Sequence, residues 1–212
     1  MRTLNFDLPK KMFITGTDTG IGKTVVSAML TLGLKAEYWK PVQSGLTERT
    51  DTDTVKYLTG LPDSHFHKET YRLNEPLSPH ASAAIDGVEI SINNFKLPDI
   101  KPENHLIIEG AGGLMVPLND EAMIIDLIKQ LDIPVLLVSR SSLGTLNHTF
   151  LSLDQLRRYD IDVLGVIMSG PLNLSNRKAI EKYGEVPVLG ELPQLDLLQP
   201  ELLKQEFDRI FG

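Results

Sequence analysis

The sequence predicts a three-layer α/β fold, a mostly parallel sheet flanked by helices, and three observations point to it. Short apolar runs recur along the 212 residues without the polar alternation of a half-wet sheet, so both faces of each strand are expected to be covered. Stretches with helical spacing lie between those runs, and strand–helix alternation makes right-handed crossovers and parallel pairing. The composition, 42% hydrophobic and 23% charged, supplies a core for such a fold, and the length suits a single domain spanning residues 1–212.

The elements follow in chain order. Met12-Phe13-Ile14-Thr15 reads as the first strand, and a helix runs from Lys23 to about Leu34. Tyr38-Trp39-Lys40-Pro41-Val42 is the second strand, with Pro41 marking its end because proline has no N–H for the ladder. A helix begins near the Thr-rich stretch Thr50-Asp51-Thr52-Asp53-Thr54, where either aspartate is a candidate cap. Residues 62–102, rich in Pro, His and Asn, read as a loop with one helix, and His65-Phe66-His67 as loop with no third ligand for a metal. Residues 105–109, 134–138, 163–168 and 186–189 are the remaining strands, and helices are expected over 122–131, 146–159 and 174–183. In an open parallel sheet, ligands sit beyond the carboxyl ends of the strands, so the residues just after each strand are the site candidates.

Several function classes are excluded at once. The 21 basic and 28 acidic residues leave a net charge of −7, which argues against a general nucleic-acid binder. The absence of cysteine removes disulfides, thiolate metal sites and a cysteine nucleophile. No secretory pattern opens the chain and no apolar run approaches the ~20 residues of a membrane span, so a cytoplasmic protein without a membrane partner is expected.

Directly after the first strand comes Gly16-Thr17-Asp18-Thr19-Gly20-Ile21-Gly22-Lys23-Thr24, then the apolar Val25-Val26-Ser27-Ala28-Met29-Leu30. A Gly-rich turn wraps its N–H groups around phosphate oxygens, and the helix behind it aims its positive end at the same place. Lys23 is placed to neutralise the β- and γ-phosphates and Thr24 to ligate Mg²⁺, which makes the fold phosphate-loop NTPase-like and the ligand a nucleoside triphosphate. The standard loop has four residues between its glycines; here five separate Gly16 from Gly22. Glu109 opens Glu109-Gly110-Ala111-Gly112-Gly113 at a strand tip, where a carboxylate can hold Mg²⁺ near the γ-phosphate. Lys40, at another strand end, is costly to desolvate unless an anion meets it, and Asp51 or Asp53 is the candidate second carboxylate. Leu143-Gly144-Thr145-Leu146-Asn147-His148 begins a helix whose free N–H groups suit a carboxylate or phosphate.

Taken together, Gly-Thr-Asp-Thr-x-x-Gly-Lys-Thr, Lys-Pro-Val-x-Ser-Gly, Glu-Gly-Ala-Gly-Gly and Leu-Gly-x-x-Asn-His, in this order, resemble the dethiobiotin synthetase family, from Met12 to about Leu195. The longer phosphate loop is itself a feature of that family. The resemblance implies a homodimer that closes the ureido ring of the biotin precursor, acting on 7,8-diaminononanoate with CO₂ or bicarbonate, ATP and Mg²⁺. It also implies roles for particular residues. Gly20, Ile21, Gly22, Lys23, Thr24 and Val25 hold the nucleotide phosphates, and Glu109, Gly110, Ala111, Gly112, Pro193, Gln194 and Leu195 match nucleotide contacts. Thr24, Asp53 and Glu109 match the magnesium site, Asp53 being preferred to Asp51 for its Asp-Thr-x-x-x-Leu context. Lys40 and Lys23 are the catalytic cations. Ser44 binds substrate, and Gly144, Thr145, Leu146 and Asn147 receive the substrate's distal carboxylate from the other subunit. Two positions depart from the pattern. Gly20 stands where some members have an acid, and Ser169-Gly170 stands where well-known members carry Asn-Asp to read adenine, which admits other nucleoside triphosphates beside ATP. The competing reading is a partitioning or positioning ATPase of the deviant phosphate-loop type, a switch; that group needs a second lysine early in the loop, where this chain has Asp18. A non-catalytic nucleotide-binding domain is a third reading, and the presence of Lys40 and Glu109 argues against it.

Overall fold

The computed structural model describes residues 8–195 and 198–212. Its centre is a seven-stranded sheet of β1 (Lys11–Gly16), β2 (Glu37–Trp39), β4 (Phe66–His67), β6 (Leu106–Gly113), β7 (Val135–Arg140), β8 (Val163–Ser169) and β9 (Val188–Leu192), in the order β4-β2-β6-β1-β7-β8-β9. Every pairing in it is parallel. A two-stranded parallel pair, β3 (Val42–Ser44) with β5 (Tyr71–Leu73), stands beside it. The helices are α1 (Lys23–Leu34), α2 (Asp51–Thr59), α3 (Pro79–Asp86), α4 (Ile124–Leu131), α5 (Thr145–Arg158), α6 (Leu174–Tyr183) and α7 (Pro200–Phe211).

The period-2 geometry of a strand divides the core into two layers. On β1, Met12 and Ile14 join the cluster under α1 and α7, with Met29, Leu30, Leu203 and Phe207, while Phe13 joins the opposite cluster under α4, with Ile124, Ile125 and Ile128. Both faces of the sheet are therefore buried, as the unbroken apolar runs require. Among the described residues no helix is long and apolar enough to cross a membrane.

Three local expectations change. The run from Tyr38 to Val42 is two strands, because the chain leaves the main sheet after Trp39 and the Pro41 carbonyl accepts from the N–H groups of Thr70 and Tyr71, which starts the β3–β5 pair. The strand expected to end at Glu109 continues to Gly113, where Gly113 pairs with Gly16 across a register shift in β1. Phe66 and His67 form the short strand β4 directly after His65, and His65 and His67 are held by the Ala36 carbonyl and the Glu37 carboxylate. Helix α7 has no counterpart in the sequence reading. It covers α1 at Gly33, where an added Cβ would lie 2.1 Å from the Phe207 ring.

Candidate active site

The site is assembled at the carboxyl ends of β1, β2 and β6. The phosphate loop leaves β1 after Gly16 and enters α1 at Lys23, with Gly20 and Gly22 in left-handed conformations at φ of 70° and 101°. Gly22 caps α1 without a side chain, so the N–H groups of the first helical turn face the loop. A Cβ on Gly22 would also lie 2.6 Å from Ser169 Oγ, so both the turn and the close approach demand glycine. The Lys23 ammonium donates to the loop's own Asp18 carbonyl at 2.8 Å. Burial, reinforced by the neighbouring Lys40 charge, pulls Lys23 down to about 8.

Across from the loop lies a compact charged centre. Lys40 Nζ sits 2.7 Å from Asp51 Oδ2 and 3.3 Å from Glu109 Oε1, and it donates to the Gly110 carbonyl at 3.1 Å. Burial alone would lower this ammonium, but the Glu109 and Asp51 carboxylates outweigh it and hold Lys40 above its ordinary value. Burial likewise opposes the charge on Asp51, yet Lys40 and the Thr24 hydroxyl hold its carboxyl below the usual range. Thr24 Oγ1 lies 3.0 Å from Asp51 Oδ1 and 2.9 Å from Glu109 Oε1. A hydroxyl has one proton, so it can donate to only one of these oxygens at a time. Glu109, 1% exposed, receives its last hydrogen bond on Oε2 from the buried Tyr38 hydroxyl at 3.0 Å.

Three hard oxygens, Thr24 Oγ1, Asp51 Oδ1 and Glu109 Oε1, thus converge beside the Lys40 ammonium. That donor set fits Mg²⁺, which takes one or two carboxylates and completes its shell with water and phosphate oxygens. Among the described residues there is no group of three His, Cys, Asp or Glu side chains that could hold a metal; here two carboxylates stand beside the Thr24 hydroxyl. The structure does not bring Asp53 to this set and puts Asp51 there. The Asp53 carboxylate accepts from the Thr50 N–H at 3.4 Å and from the Thr50 hydroxyl at 2.7 Å, closing a capping box at the start of α2. Asp51 and Asp53 are two helical positions apart, about 200° around the axis, so only one can face the lysine.

A cavity of about 680 Å³ runs from this centre, lined by Lys23, Thr24, Lys40, Asp51 and Glu109 and continuing past Ser44 to Pro76–Pro79. The Ser44 hydroxyl is buried there without a hydrogen-bond partner among the described residues. Ala111 and Gly112 line the same space, while Gly110 meets it through its carbonyl on Lys40. Gly20, Ile21, Gly22 and Val25 face a second cavity of about 470 Å³ with Ser169, Gly170, Pro193, Gln194 and Leu195. Gly144, Thr145, Leu146 and Asn147 stand apart from both, at the start of α5. Sequence reasoning missed Tyr38 and Arg140. A tyrosine inside an apolar strand reads as core, and an arginine after a strand reads as solvated; here Tyr38 holds Glu109, and Arg140 Nη2 pairs with Asp18 Oδ2 at 2.7 Å.

Known proteins resemble this chain in sequence. A family model described as an AAA domain matches residues 10–202. ATP-dependent dethiobiotin synthetase BioD of Brucella ovis is 49% identical over 201 residues, covering 95% of this chain and 94% of that protein. Its namesake from Agrobacterium fabrum is 48% identical over 202 residues, with the same coverage. The biotin biosynthesis bifunctional protein BioCD of Bordetella avium is 49% identical over 194 residues, 91% of this chain but only 41% of that longer protein. Among solved structures, the MinC:MinD cell division complex of Aquifex aeolicus matches with a TM-score of 0.54 at 14% identity, covering 94% of this chain and 93% of that one. The cell division ATPase MinD of Pyrococcus furiosus matches with a TM-score of 0.53 at 12% identity, covering 95% and 98%. These two likenesses speak for the fold alone. Near-half identity along almost the full length of both partners is a far stronger relation, and by it the chain belongs to the family of ATP-dependent dethiobiotin synthetases.

Proposed function

We propose that this chain is an ATP-dependent cyclo-ligase that joins CO₂ to 7,8-diaminononanoate and closes the ring of dethiobiotin, releasing ADP and phosphate. The observation that carries the reading is the adjacency of the phosphate loop, two buried lysines and an oxygen-donor centre at the floor of one elongated cavity. One amine of the substrate adds to CO₂ and loses a proton, giving a carbamate. A carbamate oxygen then attacks the γ-phosphorus of ATP; the bond to the bridging oxygen breaks, ADP leaves and a carbamic-phosphoric anhydride forms. The second amine attacks the carbonyl carbon, the C–O bond to phosphate breaks, and a cyclic urea results.

Charge gathers on phosphoryl oxygens throughout, so the protein contributes position and cationic stabilisation. Lys23 turns from the Asp18 carbonyl to the phosphates, and Lys40 stabilises the carbamate and the transferring phosphoryl group. Thr24, Asp51 and Glu109 are the residues that would hold Mg²⁺, which supplies charge neutralisation on the phosphates. Ser44, with its unpartnered hydroxyl, is suited to hold a polar group of the substrate. The nucleotide base is assigned to the cavity bordered by Ser169 and by Pro193, Gln194 and Leu195. The same proposal includes a cytoplasmic homodimer in which Gly144, Thr145, Leu146 and Asn147 of one subunit serve the substrate of the other. Fully exposed Leu143 and half-exposed Leu151 and Met115 near that helix start support a covered face.

The test is product analysis with ATP, Mg²⁺, ¹³C-labelled bicarbonate and 7,8-diaminononanoate. Label in a cyclic urea, one per ADP formed, is the expected result. Hydrolysis of ATP with no label incorporated would leave the switch reading in its place.

A further inference from the structure

The phosphate loop makes one contact that neither nucleotide nor substrate binding requires. Arg140, at the end of β7, reaches sideways to Asp18, and its Nη2 lies 2.7 Å from Asp18 Oδ2. Asp18, although exposed, has three polar partners. Its Oδ1 accepts the Thr19 N–H at 2.7 Å, and its carbonyl accepts the Lys23 ammonium at 2.8 Å. The residue just before it is tied to the same strand, Thr17 N–H donating to the Val138 carbonyl at 3.0 Å. Beyond Asp18 the loop runs through exposed Thr19 and Gly20 to Ile21, which is buried in the core, and half-buried Gly22, with both glycines left-handed. Between Asp18 and the Ile21 anchor, the exposed Thr19-Gly20 step has little intrinsic stiffness.

The two ties on Asp18 compete differently with a ligand. A triphosphate in the loop draws the Lys23 ammonium to its own oxygens, and the Asp18 carbonyl then loses its donor. Arg140 belongs to a strand paired with β1 and β8 and borders the cavity assigned to the nucleotide base, but its guanidinium is paired with Asp18, so the exchange of Lys23 onto the phosphates leaves this second tie in place. We propose that the Asp18–Arg140 ion pair is the positioning element of the phosphate loop, pinning it to β7 in its phosphate-binding shape when Lys23 lets go. This rests on the reading of the loop as a triphosphate site. Neither residue is placed on reacting atoms; each acts through the loop backbone.

The pair is also well suited to a clean test. Its side chains are 42% and 58% exposed, and ion pairs so exposed add little to global stability. Loss of the pair is therefore expected to leave the thermal midpoint almost unmoved and to act on the nucleotide. Binding of ATP with Mg²⁺ is measured calorimetrically for the wild type, Arg140→Gln, Asp18→Asn, the double variant and Arg140→Lys, with steady-state KM and kcat alongside. The expected result is an ATP dissociation constant raised about tenfold in each single variant, no further rise in the double variant, and partial recovery with lysine. The loss should fall on the KM for ATP and not on that for the diamine. Unchanged ATP affinity in Arg140→Gln overturns the proposal and leaves the functional reading intact. So do effects that multiply in the double variant, because Arg140 would then act on the nucleotide directly. A wild-type protein that binds no triphosphate overturns both.

Discussion

The charged centre contains several residues whose removal separates chemistry from folding. Lys23→Gln removes the ammonium that meets the phosphates, and turnover is expected to fall at least ~10³-fold with the thermal midpoint retained; near-normal turnover would refute the loop assignment. Asp51 and Asp53 make the sharper comparison. Asp51→Asn disturbs the Lys40 and Thr24 contacts, so its kcat is expected to drop about 10²-fold or more. Asp53→Ala opens the α2 capping box, so it is expected to cost about 1 kcal/mol in denaturant unfolding while turnover stays within a few fold. The reverse pattern would restore Asp53 as the metal ligand. Tyr38→Phe leaves the buried Glu109 Oε2 without its donor, a loss of roughly 1–3 kcal/mol in stability, and should raise the Mg²⁺ concentration needed for half-maximal rate. At this scale the sequence was only partly legible. Lys23, Thr24 and Glu109 announce themselves by type and by neighbouring glycines. The choice between two aspartates depends on which side of a helix faces inward, and the Tyr38–Glu109 bond joins residues 71 positions apart.

Elements were more readable, because burial on both faces leaves a plain apolar signature. The β1 and β8 runs lie inside their observed strands, and α1 and α6 begin and end where their spacing changes. The second strand misread as one piece shows the limit of that signature. Trp39 and Val42 belong to the same apolar cluster, and only the turn at Lys40–Pro41 sends them to different sheets. Helix α7 carries a fainter signal, Leu203, Phe207 and Phe211 repeating every four residues behind a proline at its first turn. Its docking gives a prediction. Gly33→Ala adds helix propensity to α1 but drives a methyl group into the Phe207 ring, so the net effect is expected to be a destabilisation of about 1–3 kcal/mol, read from denaturant unfolding. Gly33→Ala as stable as wild type would show that α7 is not held against α1.

For the molecule as a whole, the sheet order brings three strand ends together that are distant in sequence. β6 lies between β2 and β1, so Glu109 stands between the Lys40 turn and the phosphate loop. That juxtaposition follows from parallel crossovers, and it explains why the loop motif, Lys40 and Glu109 could be singled out separately yet their mutual contacts could not. The structural likeness to the MinD proteins covers the sheet and helices at low identity, whereas the pair Lys40–Asp51 belongs to the chemistry proposed for this chain. The proposed homodimer, in which residues 144–147 of one subunit serve the substrate of the other, predicts a sedimentation mass near twice 23.6 kDa, and a monomer mass would remove that part of the proposal. The most direct test of the central claim is a crystal structure with a non-hydrolysable ATP analogue, Mg²⁺ and the diamine. The account predicts the γ-phosphate between Lys23 and Lys40 and the cation on Thr24, Asp51 and Glu109, with the diamine beside Ser44. A triphosphate bound elsewhere, or Lys40 still closed on Asp51 and turned from the phosphate, would contradict it.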